Sequence, residues 1–186
     1  TSNLGIEGYL LKHGIEPILP RFSDFFRMEY MRYNVEREKF HIDYPVWKSV
    51  YFKGVDKVME FVINQVDRVE RTFQLYQKRT DTHEIYTNAS QFVDMNYTNG
   101  EGWLLPGEIV TYAKKGVDSF VVVQPFGCLP NHVTGRGLFK EIKRQYPDIQ
   151  ILALDYDPDN TQTNIENRLQ MMIKKARMMN ELKKAT

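Results

Sequence analysis

The stretch that decides the fold is Ser119-Phe120-Val121-Val122-Val123, a continuous apolar run. Such a run is typical of a strand that is buried on both faces of a parallel sheet. A second run of this kind covers residues 149–154, and helical patterns cover residues 131–146 and the chain from about residue 161. Strand, helix, strand and helix at short spacing predict a parallel sheet with right-handed crossovers.

Towards the N-terminus, residues 6–12 are predicted to form a helix that stops at Gly14, and residues 15–20 are predicted to form an edge strand. Ser23 is a candidate helix cap. The longest periodic segment is residues 45–80, where a kink or break near Gly54 is expected because the helix would otherwise be unusually long. Its apolar residues recur every three or four positions, as on one helix face: Tyr51, Val55, Val58, Val62, Val66, Val69, Phe73 and Tyr76.

These patterns predict one α/β domain over residues 1–186, a three-layer parallel-sheet fold of the Rossmann or flavodoxin-like kind. A long helical insertion over about residues 22–97 separates the first predicted strand from the second. The chain begins at Thr1 without an initiator methionine, so we expect it to be an excised piece, the C-terminal part of a larger protein.

Composition restricts the function classes. With 25 basic and 24 acidic residues the net charge is +1, which removes the main electrostatic reason to expect a nucleic acid partner. No apolar run approaches the roughly 18 residues of a membrane span, and no signal peptide is visible. The single cysteine, Cys128, cannot form an internal disulfide, which favours a reducing compartment and predicts a cytoplasmic protein.

Cys128 lies in the most unusual loop, residues 124–132, which contains two prolines and a glycine directly before a predicted helix. In open α/β sheets, ligands bind beyond the carboxyl ends of the strands, where this loop is expected. A helix N-terminus stabilises a thiolate, the form that a metal ligand or a nucleophile requires. The alternative for a lone cysteine is a small buried residue with a packing role only.

The other polar residues have simpler alternatives. His132 is a possible metal ligand, but a helix-entry residue bonded to backbone or water is favoured. Arg136, between Gly135 and Gly137, is placed to face an anionic ligand, although the third glycine of a dinucleotide motif is absent. Glu101 lies in a glycine-rich segment and is either functional or part of a tight turn.

Asp155, Asp157 and Asp159 alternate after the last predicted strand, as calcium ligands do. An EF-hand loop that began at Asp155 would require glycine at position 160, and this sequence has Asn160. Turn formation at Asp-Pro and capping of the last helix are therefore favoured.

Three segments together resemble a known family: residues 100–104 (GEGWL), residues 124–132 (QPFGCLPNH), and residues 154–158 (LDYDP) with Asn164, Asn167 and Arg168. They are similar to the C-terminal part of large activator-related proteins of the 2-hydroxyacyl-CoA dehydratase and benzoyl-CoA reductase family. The resemblance covers most of the chain and is most specific between Gly100 and Arg168.

The resemblance implies an ATP-coupled protein that delivers single electrons to acyl-CoA thioesters through a [4Fe–4S] cluster. Cys128 matches the cysteine of the family's Phe-Gly-Cys-Leu-Pro motif and is the candidate metal ligand, with the other ligands in sequence outside this chain. Candidate cofactor-binding residues are Gln124, Gly127, Asn131, Arg136 and Glu101. The implied partners are the remaining domains of the parent chain, an acyl-CoA substrate or a dehydratase subunit, and the piece alone is expected to be inactive.

Two other function classes remain open. One is a non-catalytic interaction or scaffolding domain whose long helix packs on a partner chain. The other is a CoA- or nucleotide-binding module that uses the helix N-terminus at Asn131 together with Arg136. A Cys128 that is buried with no cavity beside it favours scaffolding, whereas convergence of the strand-end loops around it favours a ligand site.

Overall fold

The computed structural model describes residues 5–74, 76–156 and 162–185. This part of the chain is mostly helical. A π-helical segment, Asn131–Arg136, directly precedes the sixth helix. The remaining elements, in chain order, are α1 (Ile6–Lys12), α2 (Phe22–Phe40), α3 (Val46–Glu70), α4 (Thr82–Ala89), α5 (Leu104–Lys114), β1 (Ser119–Pro125), α6 (Gly137–Gln145), β2 (Gln150–Tyr156) and α7 (Gln162–Ala185).

The predicted three-layer sheet is wrong. Within the described residues the sheet has two strands, β1 and β2, which pair in parallel from Ser119 opposite Gln150 to Pro125 opposite Tyr156. Residues 15–20 have no regular structure. Their two prolines lack the N–H that a sheet hydrogen bond requires, so the predicted third strand does not form. Most of β1 is only half-buried, because two strands offer few neighbours.

The chain divides into two compact units, which are described separately. The first comprises Thr1–Leu19 and Glu108–Thr186. In its core, α1 packs with β2 and α7. The apolar residues of α7 recur at helical spacing along one face. The buried members of this cluster are Ile6, Leu10, Leu154, Ile165, Leu169, Met172 and Ile173.

The second unit is Pro20–Gly107. Its core is built around Trp103, which is fully buried and meets the Tyr86 ring edge-on at a centroid distance of 5.3 Å. The other buried members are Met28, Val35, Ile85, Ala89, Met95 and Leu104. Thr82, at the start of α4, donates a 2.9 Å hydrogen bond to the buried carboxylate of Asp24 on α2, which satisfies both groups.

Two local predictions in this unit are wrong. Ser23 does not cap α2, because the helix already begins at Phe22 with Arg21 in the capping position. The pattern over residues 45–80 yields α3, which ends at Glu70 and continues unbroken through Gly54. One glycine costs a helix only about 1 kcal/mol, which the rest of a long helix offsets.

The face of α3 opposite its buried residues Ile63 and Asp67 carries large apolar side chains that remain exposed. Even so, no helix in the described ranges has the length and apolar character needed to cross a membrane.

Candidate functional site

Three polar side chains meet where β1 and β2 end. The strand register places Gln124 opposite Asp155. The amide Nε2 of Gln124 donates a 2.6 Å hydrogen bond to Asp155 Oδ1, and Arg136 forms an ion pair with Asp155 Oδ2. Gln124 is completely buried, and its Oε1 has no hydrogen-bond partner among the described residues. The carboxylate therefore links both strands to the segment that precedes α6.

Asp155 thus belongs to strand β2. Asp157, Asp159 and Asn160, which the sequence assigns to a turn and a helix cap, lie outside the described residues. Because Arg136 and Gln124 occupy both oxygens of Asp155, this carboxylate serves the protein's own structure.

Cys128 follows a tight turn directly after β1. Gly127 has φ +70°, a conformation that glycine adopts without the steric cost that other residues meet, and the N–H of Cys128 donates to the carbonyl of Pro125 at 3.3 Å. The thiol is half-buried. The side-chain Nδ2 of Asn131, itself buried, donates to Sγ of Cys128 at 3.0 Å. This contact fixes the position of the sulfur relative to the first residue of the π-helical segment.

His132 forms two hydrogen bonds with the backbone carbonyl of Cys128. Its Nδ1 lies 2.8 Å from the carbonyl oxygen of Cys128, and its backbone N–H donates to the same oxygen at 3.0 Å. A carbonyl only accepts hydrogen bonds, so Nδ1 carries the proton in this contact. The favoured interpretation of His132 as a helix-entry residue bonded to the backbone agrees with this geometry.

The residues on both sides of the turn expose apolar surface. Phe126 and Leu129 are 73% and 72% exposed, although both are large hydrophobic residues. Along the chain, half-buried Cys128 is therefore flanked by two large apolar residues that are exposed to solvent.

Glu101 lies in the other compact unit. It sits between Gly100 and Gly102, which both have positive φ, and its carbonyl accepts the N–H of Leu104 at 2.8 Å as α5 begins. Its backbone thus takes part in the turn that the sequence suggested.

Among the described residues, no three His, Cys, Asp or Glu side chains are grouped so that they would hold a metal ion. The turn offers one cysteine sulfur, whereas an iron–sulfur cluster normally has four ligands. The described residues therefore do not form a complete cluster site by themselves.

Sequence reasoning missed the structural role of Asp155 and the exposure of Phe126 and Leu129. The role of Asp155 could have been predicted from the sequence, since residues that end neighbouring parallel strands lie at the same sheet edge. The exposure of Phe126 and Leu129 could not have been predicted, because the sequence pattern of a loop does not show which of its apolar side chains are covered.

Asp155→Asn should lower the free energy of unfolding by about 1 kcal/mol, because the ion pair with Arg136 is partly exposed. The loss should shrink in high salt, which screens such pairs. Urea unfolding at low and high salt measures both effects. Glu141→Gln, which breaks the pair with the exposed Arg144, is the matched control and should cost less. Equal losses for the two variants would show that the strand-end carboxylate has no special role.

The turn that contains Cys128 and the Gln124–Asp155–Arg136 network lie within the first compact unit, at the carboxyl ends of its two strands. Comparison of the chain with models of protein families, with curated proteins and with solved structures gave no match.

Proposed function

We propose that this chain is an iron–sulfur-associated domain of a protein that resembles the 2-hydroxyacyl-CoA dehydratase and benzoyl-CoA reductase family and its activator-related members. In this proposal Cys128 contributes one thiolate ligand to a [4Fe–4S] cluster, which supplies single electrons for ATP-coupled chemistry on acyl-CoA. The observation that carries the proposal is the 3.0 Å hydrogen bond from buried Asn131 to the half-exposed sulfur of Cys128.

Three features of the turn suit a cluster ligand. The sulfur is held in a fixed position, since its backbone is bonded on both sides to Pro125 and His132. Asn131 donates to the sulfur, and hydrogen bonds to ligand sulfurs tune the reduction potential of a cluster. Exposed Phe126 and Leu129 provide an apolar surface that other domains of the parent protein would cover, which would shield the cluster from water.

The CoA- or nucleotide-binding alternative has less support. Arg136, the cation that this alternative assigns to an anionic ligand, already pairs its guanidinium with Asp155. The scaffolding alternative has one observation in its favour, the exposed apolar face of α3. That face lies in a different compact unit from Cys128, so the two functions do not exclude each other.

Cys128→Ala in the full-length parent protein should abolish or strongly reduce the EPR signal of the [4Fe–4S] cluster after anaerobic purification, with a matching loss of iron and sulfide. Asn131→Leu should retain the cluster but lower its reduction potential, because the reduced cluster carries more negative charge and loses a stabilising donor. Lys140→Gln, at an exposed position of α6, is the control that leaves the turn, the sulfur and its donor in place.

A cluster signal that is unchanged in Cys128→Ala, or an absence of cluster in both proteins, contradicts the assignment. A domain that binds a partner without redox chemistry would then be the better description.

A further inference from the structure

The outer face of α3 carries a stripe of exposed apolar side chains. Its eight members are between 49% and 65% exposed. They are Trp47, Val50, Tyr51, Val58, Phe61, Val62, Val66 and Val69. Because an α-helix rotates by about 100° per residue, these side chains span about 160° of its circumference, and buried Ile63 and Asp67 lie on the opposite side. A contiguous exposed apolar patch of this kind marks an interaction surface.

The carboxylates of α3 lie away from the stripe. At the same rotation per residue, all of them fall within a sector of about 80° on the buried side of the helix. They are Asp56, Glu60, Asp67 and Glu70. Three of them form ion pairs with arginines of the same compact unit, which are Arg27, Arg71 and Arg21. The stripe and its two edges therefore carry no negative charge.

Basic side chains lie along both edges of the stripe. Lys48 is on one edge, and Lys57 and Arg68 are on the other. Lys57 and Arg68 are exposed, and Nζ of half-buried Lys48 lies 5.9 Å from the ring centroid of Trp47. None of the three cations forms an ion pair within the described residues. The charge around the stripe is thus complementary to a negatively charged partner.

The arrangement of these cations favours a lipid surface over an acidic protein. Lys48 and Arg68 lie on opposite edges and about 30 Å apart along the helix axis. A flat anionic surface meets both edges along the whole helix, whereas a protein would need carboxylates at matching, widely separated places. Helices that lie in the membrane interface combine a broad apolar face with basic side chains that reach the headgroups. Trp47 and Tyr51 have the amphipathic rings that favour the same depth.

We propose that α3 docks its compact unit onto an anionic lipid surface. The apolar stripe enters the headgroup region, and Lys48, Lys57 and Arg68 contact the lipid phosphates. The helix lies along the surface and does not cross the membrane. This inference goes beyond the iron–sulfur function and is independent of it, because it uses no residue of the first compact unit. An acidic protein and a second copy of the chain are the competing occupants, and the test separates them.

The 186-residue chain should cosediment with phosphatidylcholine vesicles that contain about one-third phosphatidylserine, and bind pure phosphatidylcholine far more weakly. Lys57→Gln combined with Arg68→Gln should weaken binding about 30-fold, since each cation near an anionic surface contributes a factor of about five. Lys174→Gln combined with Lys175→Gln is the matched control. It removes the same charge from exposed positions of α7 and should leave binding nearly unchanged.

A charge within the stripe tests the apolar contact. Val58→Asp should weaken binding at least about 30-fold, because the valine no longer leaves water and its replacement is a carboxylate beside anionic headgroups. Met171→Asp, at a 75% exposed apolar position of α7, is the control and should have little effect. Circular dichroism checks that each variant is folded.

Tryptophan fluorescence shows whether the stripe itself enters the lipid. The chain has two tryptophans, of which Trp103 is fully buried and Trp47 is 64% exposed. Addition of the phosphatidylserine vesicles should shift the emission to shorter wavelengths as Trp47 leaves water. Trp47→Phe keeps an aromatic ring in the stripe, so it should still cosediment but lose this shift.

A chain that does not bind the phosphatidylserine vesicles overturns the proposal and leaves an acidic protein as the better occupant. Equal binding to pure phosphatidylcholine, or equal losses for the α3 and α7 charge variants, also contradicts it. A dimer whose formation prevents vesicle binding would identify a second copy as the occupant. An emission shift that persists in Trp47→Phe would show that the stripe is not the surface in contact with lipid.

Discussion

Gly102→Ala should be among the most destabilising single substitutions in this chain, with a loss on the order of 3 kcal/mol in the free energy of unfolding. Gly102 has φ +44°, and a Cβ at this position would lie 2.2 Å from the carbonyl oxygen of Tyr97. That oxygen cannot move away freely, because it accepts the N–H of Trp103 at 3.0 Å. The substitution therefore combines the cost of a left-handed backbone with a clash against fixed backbone.

Urea unfolding followed by circular dichroism measures this loss. Gly8→Ala is the control, since Gly8 lies inside helix α1 and a Cβ there meets nothing within 4 Å. It should stabilise the chain by about 0.5–1 kcal/mol, because alanine loses less conformational freedom than glycine in a helix. A Gly102→Ala variant as stable as the wild type would show that the Asn99–Trp103 turn relaxes easily.

Trp103→Ala should cost about 3–5 kcal/mol, the usual range for removing a large aromatic side chain from a core. Trp103 is fully buried, packs with Ile85 and Leu104, and meets Tyr86 edge-on. The free energy of unfolding in urea gives the loss directly.

Two further variants separate the causes of that loss. Trp103→Phe should cost clearly less, because the indole Nε1 is buried with no partner among the described residues and its removal relieves an unsatisfied donor. Trp47→Ala, at a tryptophan that is 64% exposed, should change the stability of the chain by no more than about 0.5 kcal/mol. Equal effects at both tryptophans would be inconsistent with the burial of Trp103.

The sequence was a good guide to individual elements. The helix predicted over residues 6–12 matches α1, and the two apolar runs match β1 and β2 to within two residues. These elements have the clearest local signals: a glycine with positive φ at position 14, and runs of consecutive apolar residues in the strands.

The architecture was harder to predict, because it depends on which elements pair. Residues 15–20 have the apolar character of a strand, but whether they join a sheet depends on a neighbouring strand and on backbone donors that Pro17 and Pro20 lack. The periodicity of α3 likewise predicts a helix with an apolar face and does not show whether the protein's own core covers that face.

For the candidate site, the sequence identified the turn that contains Cys128 but not its hydrogen bonds. A donor three residues after a cysteine is a common arrangement in sequences. The contact between Asn131 and the sulfur lies where a π-helical segment begins, and local composition predicts neither the segment nor the contact.

The first compact unit is discontinuous in sequence, and this has a consequence for the order of folding. Helix α1 completes a cluster with β2 and α7, but the whole Pro20–Gly107 unit lies between them along the chain. Docking of α1 therefore closes a long loop. The chain loses conformational entropy when this loop closes, before the contacts of Ile6 and Leu10 can compensate for the loss. We expect α1 to dock last, onto a strand–helix–strand nucleus of β1, α6 and β2, and to be the first element to detach when the unit begins to open.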